Sequence, residues 1–98
     1  MEEIVCRAIE TRSLLSFVYK GFERVVEPHA LGFQKSTGNK VLRAFQVDGG
    51  SESGRVEGWK LMLLDEMERV SLLDEHFHSP RPDYKRGDSH MSRIICEM

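Results

Sequence analysis

The chain has 98 residues, 40% of them hydrophobic and 31% charged, with a net charge of −2. This is the length of one domain, with the composition of a folded chain and not of a disordered one. A net negative charge excludes nonspecific binding of nucleic acid by the chain as a whole, which needs excess positive charge to meet phosphate.

The charge is unevenly spread. Lys20 to Lys60 carries seven Lys/Arg against five Asp/Glu, Asp65 to Glu75 one against five, and Arg81 to Arg93 four against two. Two mildly basic zones thus flank an acidic one, which fits either a local positive patch or merely solvated faces. No apolar run is long enough for a membrane span or a signal-peptide core. Cys6 and Cys96 are too few for a disulfide framework. Their pairing would join the two ends of the chain, but nothing points to export, so two free thiols in a cytoplasmic protein are the expectation.

Residues 3–12 read as a short helix. Ile4, Val5, Ala8 and Ile9 form one apolar stripe, and Glu2 and Glu3 sit where the helix dipole favours acids. Ten residues are marginal for an isolated helix, so this one must pack on something. Leu14 to Tyr19 alternates like a strand. Lys20-Gly21 is a turn, after which Phe22 to Val26 returns as the next strand. Pro28 cannot donate to a ladder and marks a bend, bulge or edge. The chain continues extended through Leu31-Gly32-Phe33, turns at Ser36 to Asn39, and forms a third strand from Val41 to Val47. Asp48 to Gly58 is a glycine-rich polar loop, and Trp59 to Leu64 a fourth strand. Glu66 to Leu73 fits either a fifth strand or a helical turn. Pro80-Arg81-Pro82 fixes an extended segment, Tyr84 to Asp88 a turn, and Met91 to Met98 offers one more short strand. Short strands with tight turns in so small a chain predict a closed or nearly closed barrel, because closure removes exposed edges.

The order Leu14-x-x-Phe17-x-Tyr19, turn, Arg24-x-x-Glu27-Pro28-x-x-Leu31, then Ala44-Phe45 and Leu64-Asp65, resembles the WYL domain family over most of residues 3–75. The tail Phe77-x-x-Pro80-Arg81-Pro82-x-Tyr84-x-x-Gly87-Asp88 looks like that of small free-standing members. The family's Trp-Tyr-Leu falls at Lys40-Val41-Leu42, where only the leucine is kept. Its frequent Asp-Arg-Ile falls at Asp65-Glu66-Met67. The resemblance implies a mainly-β fold: a small Sm-like β-barrel of about five strands with an N-terminal α-helix, the barrel over 14–75 and an extended tail over 76–98. It also implies a regulatory role in sensing a nucleotide or nucleic acid, usually within a bacterial transcription factor or defence protein.

Five residues stand out as candidate ligand contacts. His29, just past Pro28, is suited to hydrogen bonding or stacking on a base; the alternative is a structural histidine bonded to nearby backbone. Arg43 interrupts the apolar Val41, Phe45 and Val47 and needs a carboxylate or a phosphate-like ligand, Glu27 being the obvious internal partner. Arg24 and Lys60 are cations on neighbouring strands. If these four converge they make an anion patch. Tyr84, beside Lys85 and Arg86 in a polar turn, is a candidate stacking platform, whereas Trp59 and Phe45 read as core. His76-x-His78, with Asp88, His90 and Cys96, is a weak metal pattern and reads as solvated loop residues.

No nucleophile elbow, phosphate loop or dinucleotide fingerprint is present, so no enzyme activity and no cofactor is expected. Two functions follow. One is a non-catalytic module that senses a nucleotide or single-stranded nucleic acid through Arg24, His29, Arg43, Lys60 and Tyr84. The other is a protein-interaction or homo-oligomerisation module that uses a barrel edge or the 77–98 tail.

Overall fold

A computed structural model describes residues 1–98. Along the chain it forms α1 (Glu2–Thr11), β1 (Ser13–Tyr19), β2 (Phe22–Gln34), β3 (Lys40–Gly49), β4 (Gly58–Leu63), a 3-10 turn (Leu64–Glu66), β5 (Met67–His76) and β6 (Met91–Glu97). The fold is mainly β with one N-terminal helix. The segment that fitted either strand or helix is the 3-10 turn followed by β5.

β2 organises the sheet. One of its edges pairs with β3 from Arg24 to Phe33. The other edge is shared: β1 takes Phe22 to Val26, and β6 takes Ala30 to Gln34. The changeover falls at Pro28, next to a bulge in the β2–β3 ladder. A residue without an N–H is tolerated where a ladder is interrupted. At the β1–β2 turn both Lys20 (φ 51°) and Gly21 (φ 79°) are left-handed, the signature of the tight hairpin turn that matches strand twist. Gly32 sits where β6 crosses β2, and a Cβ there would strike the Arg93 carbonyl and the Met91 sulfur.

The expected closed barrel is not formed; of the six strands, five lie within residues 13–76 and the sixth is the short strand offered by the tail. The main path runs β4-β3-β2-β1-β5, with β6 on β2. β4 and β5, the ends of that path, make no ladder with each other. They are joined by only the three residues of the 3-10 turn, so the sheet must curl until its edges approach at that corner. The molecule measures 29 × 28 × 25 Å. β5 is bulged twice against β1, and bulges bend a strand and disturb its ladder. The sheet therefore curls without sealing.

The concave face of the sheet holds the main core. Val5, Ala8 and Ile9 of α1 pack with Leu15, Phe17, Val26, Leu31, Leu42 and Met62 of the strands. Arg12 closes α1 in the left-handed conformation (φ 56°), its N–H bonded to the Ala8 and Ile9 carbonyls. Cys6 of α1 and Cys96 of β6 form a disulfide, with Cα atoms 5.9 Å apart. This corrects the expectation of free thiols. β6 returns the C-terminal end of the chain beside α1, a juxtaposition that needs the sixth strand and is invisible in cysteine spacing.

Candidate functional site

The second face of the sheet is covered by the segment between β5 and β6. Residues opposite one another in adjacent strands share a face. Arg43 lies opposite Ala30 of β2 and Leu61 of β4, and Phe45 lies opposite Glu27 and Trp59. Glu27, Arg43, Phe45, Trp59 and Leu61 therefore point to one side, away from the main core. His29, in the bulge between Pro28 and Ala30, turns to the same side.

His29 is the pin that holds the tail there. It is 0% exposed. Its Nδ1 lies 2.8 Å from the Glu27 carbonyl, and its Nε2 accepts the Arg81 backbone N–H at 3.2 Å. These partners define the neutral tautomer with hydrogen on Nδ1. Its ring lies against Trp59 (4.7 Å between centroids), Tyr84 (4.9 Å) and Phe77 (5.6 Å). Burial pushes its pKa below the usual histidine value, outweighing the bond to the Glu27 carbonyl. With no surface and both nitrogens engaged, His29 has no free polar atom to offer a ligand. The expected contact residue is a structural one.

Arg81 reinforces the pin. Its Nε and terminal nitrogen donate to the two Glu27 carboxylate oxygens at 2.7 and 3.1 Å, and its guanidinium lies 3.9 Å from the centre of the Phe45 ring. The Glu27 hydrogen bonds hold the Arg81 pKa above its ordinary value. Glu27 is thus the partner of Arg81, not of Arg43 as expected. Arg43 takes Asp88, donating from Nε to Oδ2 at 2.7 Å, and also donates to Nδ1 of His90 at 3.1 Å. Burial would raise the Asp88 pKa, but the Arg43 guanidinium and the His90 backbone N–H together hold it below the usual value.

These contacts leave a cleft of about 320 Å³ where the tail crosses β3 and β4. Trp59 and Tyr84 supply its aromatic surface, their rings 6.2 Å apart and 29° from parallel. Arg43, Lys85, Asp88 and His90 supply charge and hydrogen-bonding groups. Trp59 is fixed by an indole N–H donated to Asp83 at 2.8 Å. The Tyr84 hydroxyl reaches the His29 and Met98 carbonyls at 3.4 and 3.5 Å. Its pKa is pushed up to about 12, first by burial and then by Glu97, so the phenol stays protonated at neutral pH. The cleft offers stacking surface with both donors and acceptors at its rim.

Arg24 and Lys60 lie elsewhere. Arg24 is opposite Phe17, and Lys60 opposite Ala44, both partners belonging to the core on the other face. Arg24 is 2% exposed and paired with Glu52. Lys60 donates to the Arg55 carbonyl at 2.7 Å. The patch that needed Arg24, His29, Arg43 and Lys60 together is therefore not assembled. The structure groups only Arg43 and Tyr84 of the predicted contacts at one cleft, with His29 beneath them.

Trp59, Lys85, Asp88 and His90 are cleft residues that the sequence does not single out as such. Strand alternation carried part of the signal, since it puts Trp59 out of phase with the core residue Met62. The registry of the tail had no periodic signal. His76 is bonded to the Thr11 carbonyl at 3.0 Å, and no group of three or more His, Cys, Asp or Glu side chains gathers to hold a metal ion. Comparison with protein-family models, curated proteins and solved structures gave no match to this chain.

Proposed function

We propose that the chain is a non-catalytic ligand-binding module, regulatory in role and of WYL, Sm-like type, whose ligand is a nucleotide or the exposed base of a single-stranded nucleic acid. The carrying observation is the cleft, where two aromatic rings stand beside Arg43, Lys85 and His90. Aromatic faces stack on any base, and cations beside them meet phosphate. The strand order β4-β3-β2-β1-β5 with a helix packed on it supports the Sm-like part of this reading. Trp59 is the only tryptophan, so its fluorescence reports directly on the cleft. Titration with mononucleotides and short single-stranded oligonucleotides should quench it saturably, and replacement of Lys85 by Glu should weaken the response. An emission spectrum that no mononucleotide or oligonucleotide changes ends this reading.

A second reading has one observation in its favour. β5 and β6 are bulged against their neighbours, whereas the β3–β4 ladder is regular from Val41–Leu63 to Gln46–Gly58. β4 thus presents an unbulged outer edge, the kind of edge that pairs with another chain. Its Leu63 N–H is taken by the Tyr19 hydroxyl at 3.0 Å, which leaves Trp59 and Leu61 to offer backbone groups by strand alternation. Sedimentation across a concentration range tests for self-association: a monomer throughout excludes a homo-oligomer.

A further inference from the structure

Arg24 presents a problem of its own on the opposite face. A guanidinium carries five N–H groups, and burial without partners is costly. Arg24 is 2% exposed. One terminal nitrogen donates to the Tyr19 carbonyl at 3.0 Å and to Glu52, and the other reaches Gln46 Oε1 only at 3.4 Å. Nε is buried and has no hydrogen-bond partner. The rings of Tyr19 and Phe22 flank the guanidinium at 5.2 and 5.9 Å, and Phe22 is 40% exposed.

The one acid that meets this buried cation comes from the surface. Glu52 is half exposed, with a side-chain exposure of 52% against 1% for Arg24. It stands on the strap between β3 and β4. The strap's root is anchored: Gln46 donates from Nε2 to the Asp48 and Gly50 carbonyls at 3.0 and 2.9 Å, and the Gly50 N–H bonds the Glu23 carbonyl at 2.9 Å. Gly49 has φ 99°, and a Cβ there would strike the Glu23 carbonyl, so the root can follow this path only as glycine. Beyond the anchored root, the Glu52 carboxylate is held by Arg24. Its own backbone N–H, and then Arg24, hold the Glu52 pKa below the usual value, so the carboxylate is ionised.

We propose that Glu52 is a built-in plug in a second anion site, standing where the carboxylate or phosphate monoester of a small acid binds Arg24. The incoming anion takes from Glu52 the one terminal nitrogen it holds and also accepts the orphan Nε–H. The fork of a guanidinium suits such a two-oxygen group. Phe22, open to solvent at the rim, gives an apolar surface for the rest of the ligand. This site is independent of the Trp59 cleft, so either reading can fail alone.

The test uses the full chain, with inorganic phosphate and acetate as probes, read by the NMR signal of the Arg24 Nε–H. In Glu52→Ala and Glu52→Gln, at least one probe should shift that signal saturably, with affinity tenfold or more above the unchanged chain. Phosphate alone would identify a phosphate monoester as the ligand class, and acetate alone a carboxylate. Arg24→Lys in the Glu52→Ala background, read by the backbone amide signals of Tyr19 and Phe22 because the Nε–H is gone, should abolish the saturable shift. No saturable shift in either folded Glu52 variant overturns the proposal, as does equal affinity with and without Glu52.

Discussion

The backbone N–H of Arg81 is bonded to Nε2 of His29, a contact that spans 52 residues of sequence at 3.2 Å. It fixes the protonation state of the ring as well as the position of the tail. If His29 took up a second proton, Nε2 would carry hydrogen and could no longer accept from Arg81. One neutral imidazole therefore holds the tail, and with it one wall of the cleft, against the sheet.

A pH dependence follows, and its sign can be worked out. Burial lowers the pKa of His29 in the folded chain below the ordinary value of 6.5. Between the folded and unfolded values the unfolded state binds more protons, so stability rises with pH in that window. The contribution of His29 is fully present above about pH 6.5 and is lost as pH falls below it. One proton gives a slope of at most about 1.4 kcal/mol per pH unit. Urea unfolding between pH 7 and pH 5 should show the loss. His29→Leu, which has no proton to gain, should be less stable at pH 7 and flatter across that range. An unchanged slope in the variant would place the titration elsewhere.

The ion pair of Arg43 and Asp88 gives a second prediction. Their side chains are 19% and 8% exposed, so the pair is largely shielded from water. Removing one member leaves the other short of a partner. Asp88→Ala should cost about 1–3 kcal/mol, the lower part of the range for breaking charged hydrogen bonds, because Arg43 retains some solvent contact. The folded Asp88 carboxyl has a lowered pKa. Its contribution is therefore present above the unfolded value and lost as pH falls through the folded one. Denaturant titration of Asp88→Ala and Asp88→Asn checks the cost. The wild-type chain should also lose more stability than Asp88→Asn in acid below pH 4. Because Asp88 competes for Arg43, Asp88→Asn should bind a nucleotide more tightly at the cleft if the proposed function holds.

Much of the sheet was legible because its signals are local. The alternation of Leu15, Phe17 and Tyr19, the Lys20-Gly21 turn and the break at Pro28 each act over a few residues, and each predicted element has its counterpart here. Closure was misread because it depends on long-range registry. The two bulges of β5 have no sequence mark, apart from an Arg69 that tolerates φ 54°. The site was half legible for the same reason. That Arg43 needed a carboxylate follows from its apolar neighbours. That the carboxylate is Asp88, 45 residues away, depends on how a non-periodic tail lies down. His29 stood out by its place just past Pro28, and burial then made it a fastener.

Glu27 and Arg81 show how the tail is fastened beyond the histidine. The pair is bidentate, and the guanidinium also lies on Phe45. The Arg81 side chain is 35% exposed, so its electrostatic share is discounted for solvent screening. Arg81→Ala should cost about 1–2 kcal/mol, from the lost charged hydrogen bonds and the cation–π contact. Arg81→Lys should recover only part, since an ammonium cannot make the fork. Both variants keep the backbone N–H to His29. The loss measured by urea unfolding should therefore be smaller than that of His29→Leu; a larger loss would mean that the fork, not the histidine, is the principal fastener.

The disulfide sets the behaviour of the whole C-terminal third. Cys6 and Cys96 are separated by 90 residues, so the bond closes nearly the entire chain into a loop. The chain-entropy model puts the stabilisation from so long a loop at about 4–5 kcal/mol, an upper figure because strain and residual structure reduce it. β6 holds to the sheet by the short ladder from Ala30 to Gln34, and the tail between β5 and β6 is held at its far end by β6. Reduction should therefore lower stability and loosen β6 before β1 to β3, which are paired on both sides. Hydrogen exchange with and without reductant checks this. Amides of Met91 to Glu97 should lose protection on reduction, while those of Leu15, Val26 and Leu42 keep most of theirs. Cys6→Ser should reproduce the reduced pattern without reductant. If protection of β6 is the same in both forms, the ladder and not the sulfur bridge holds the strand in place.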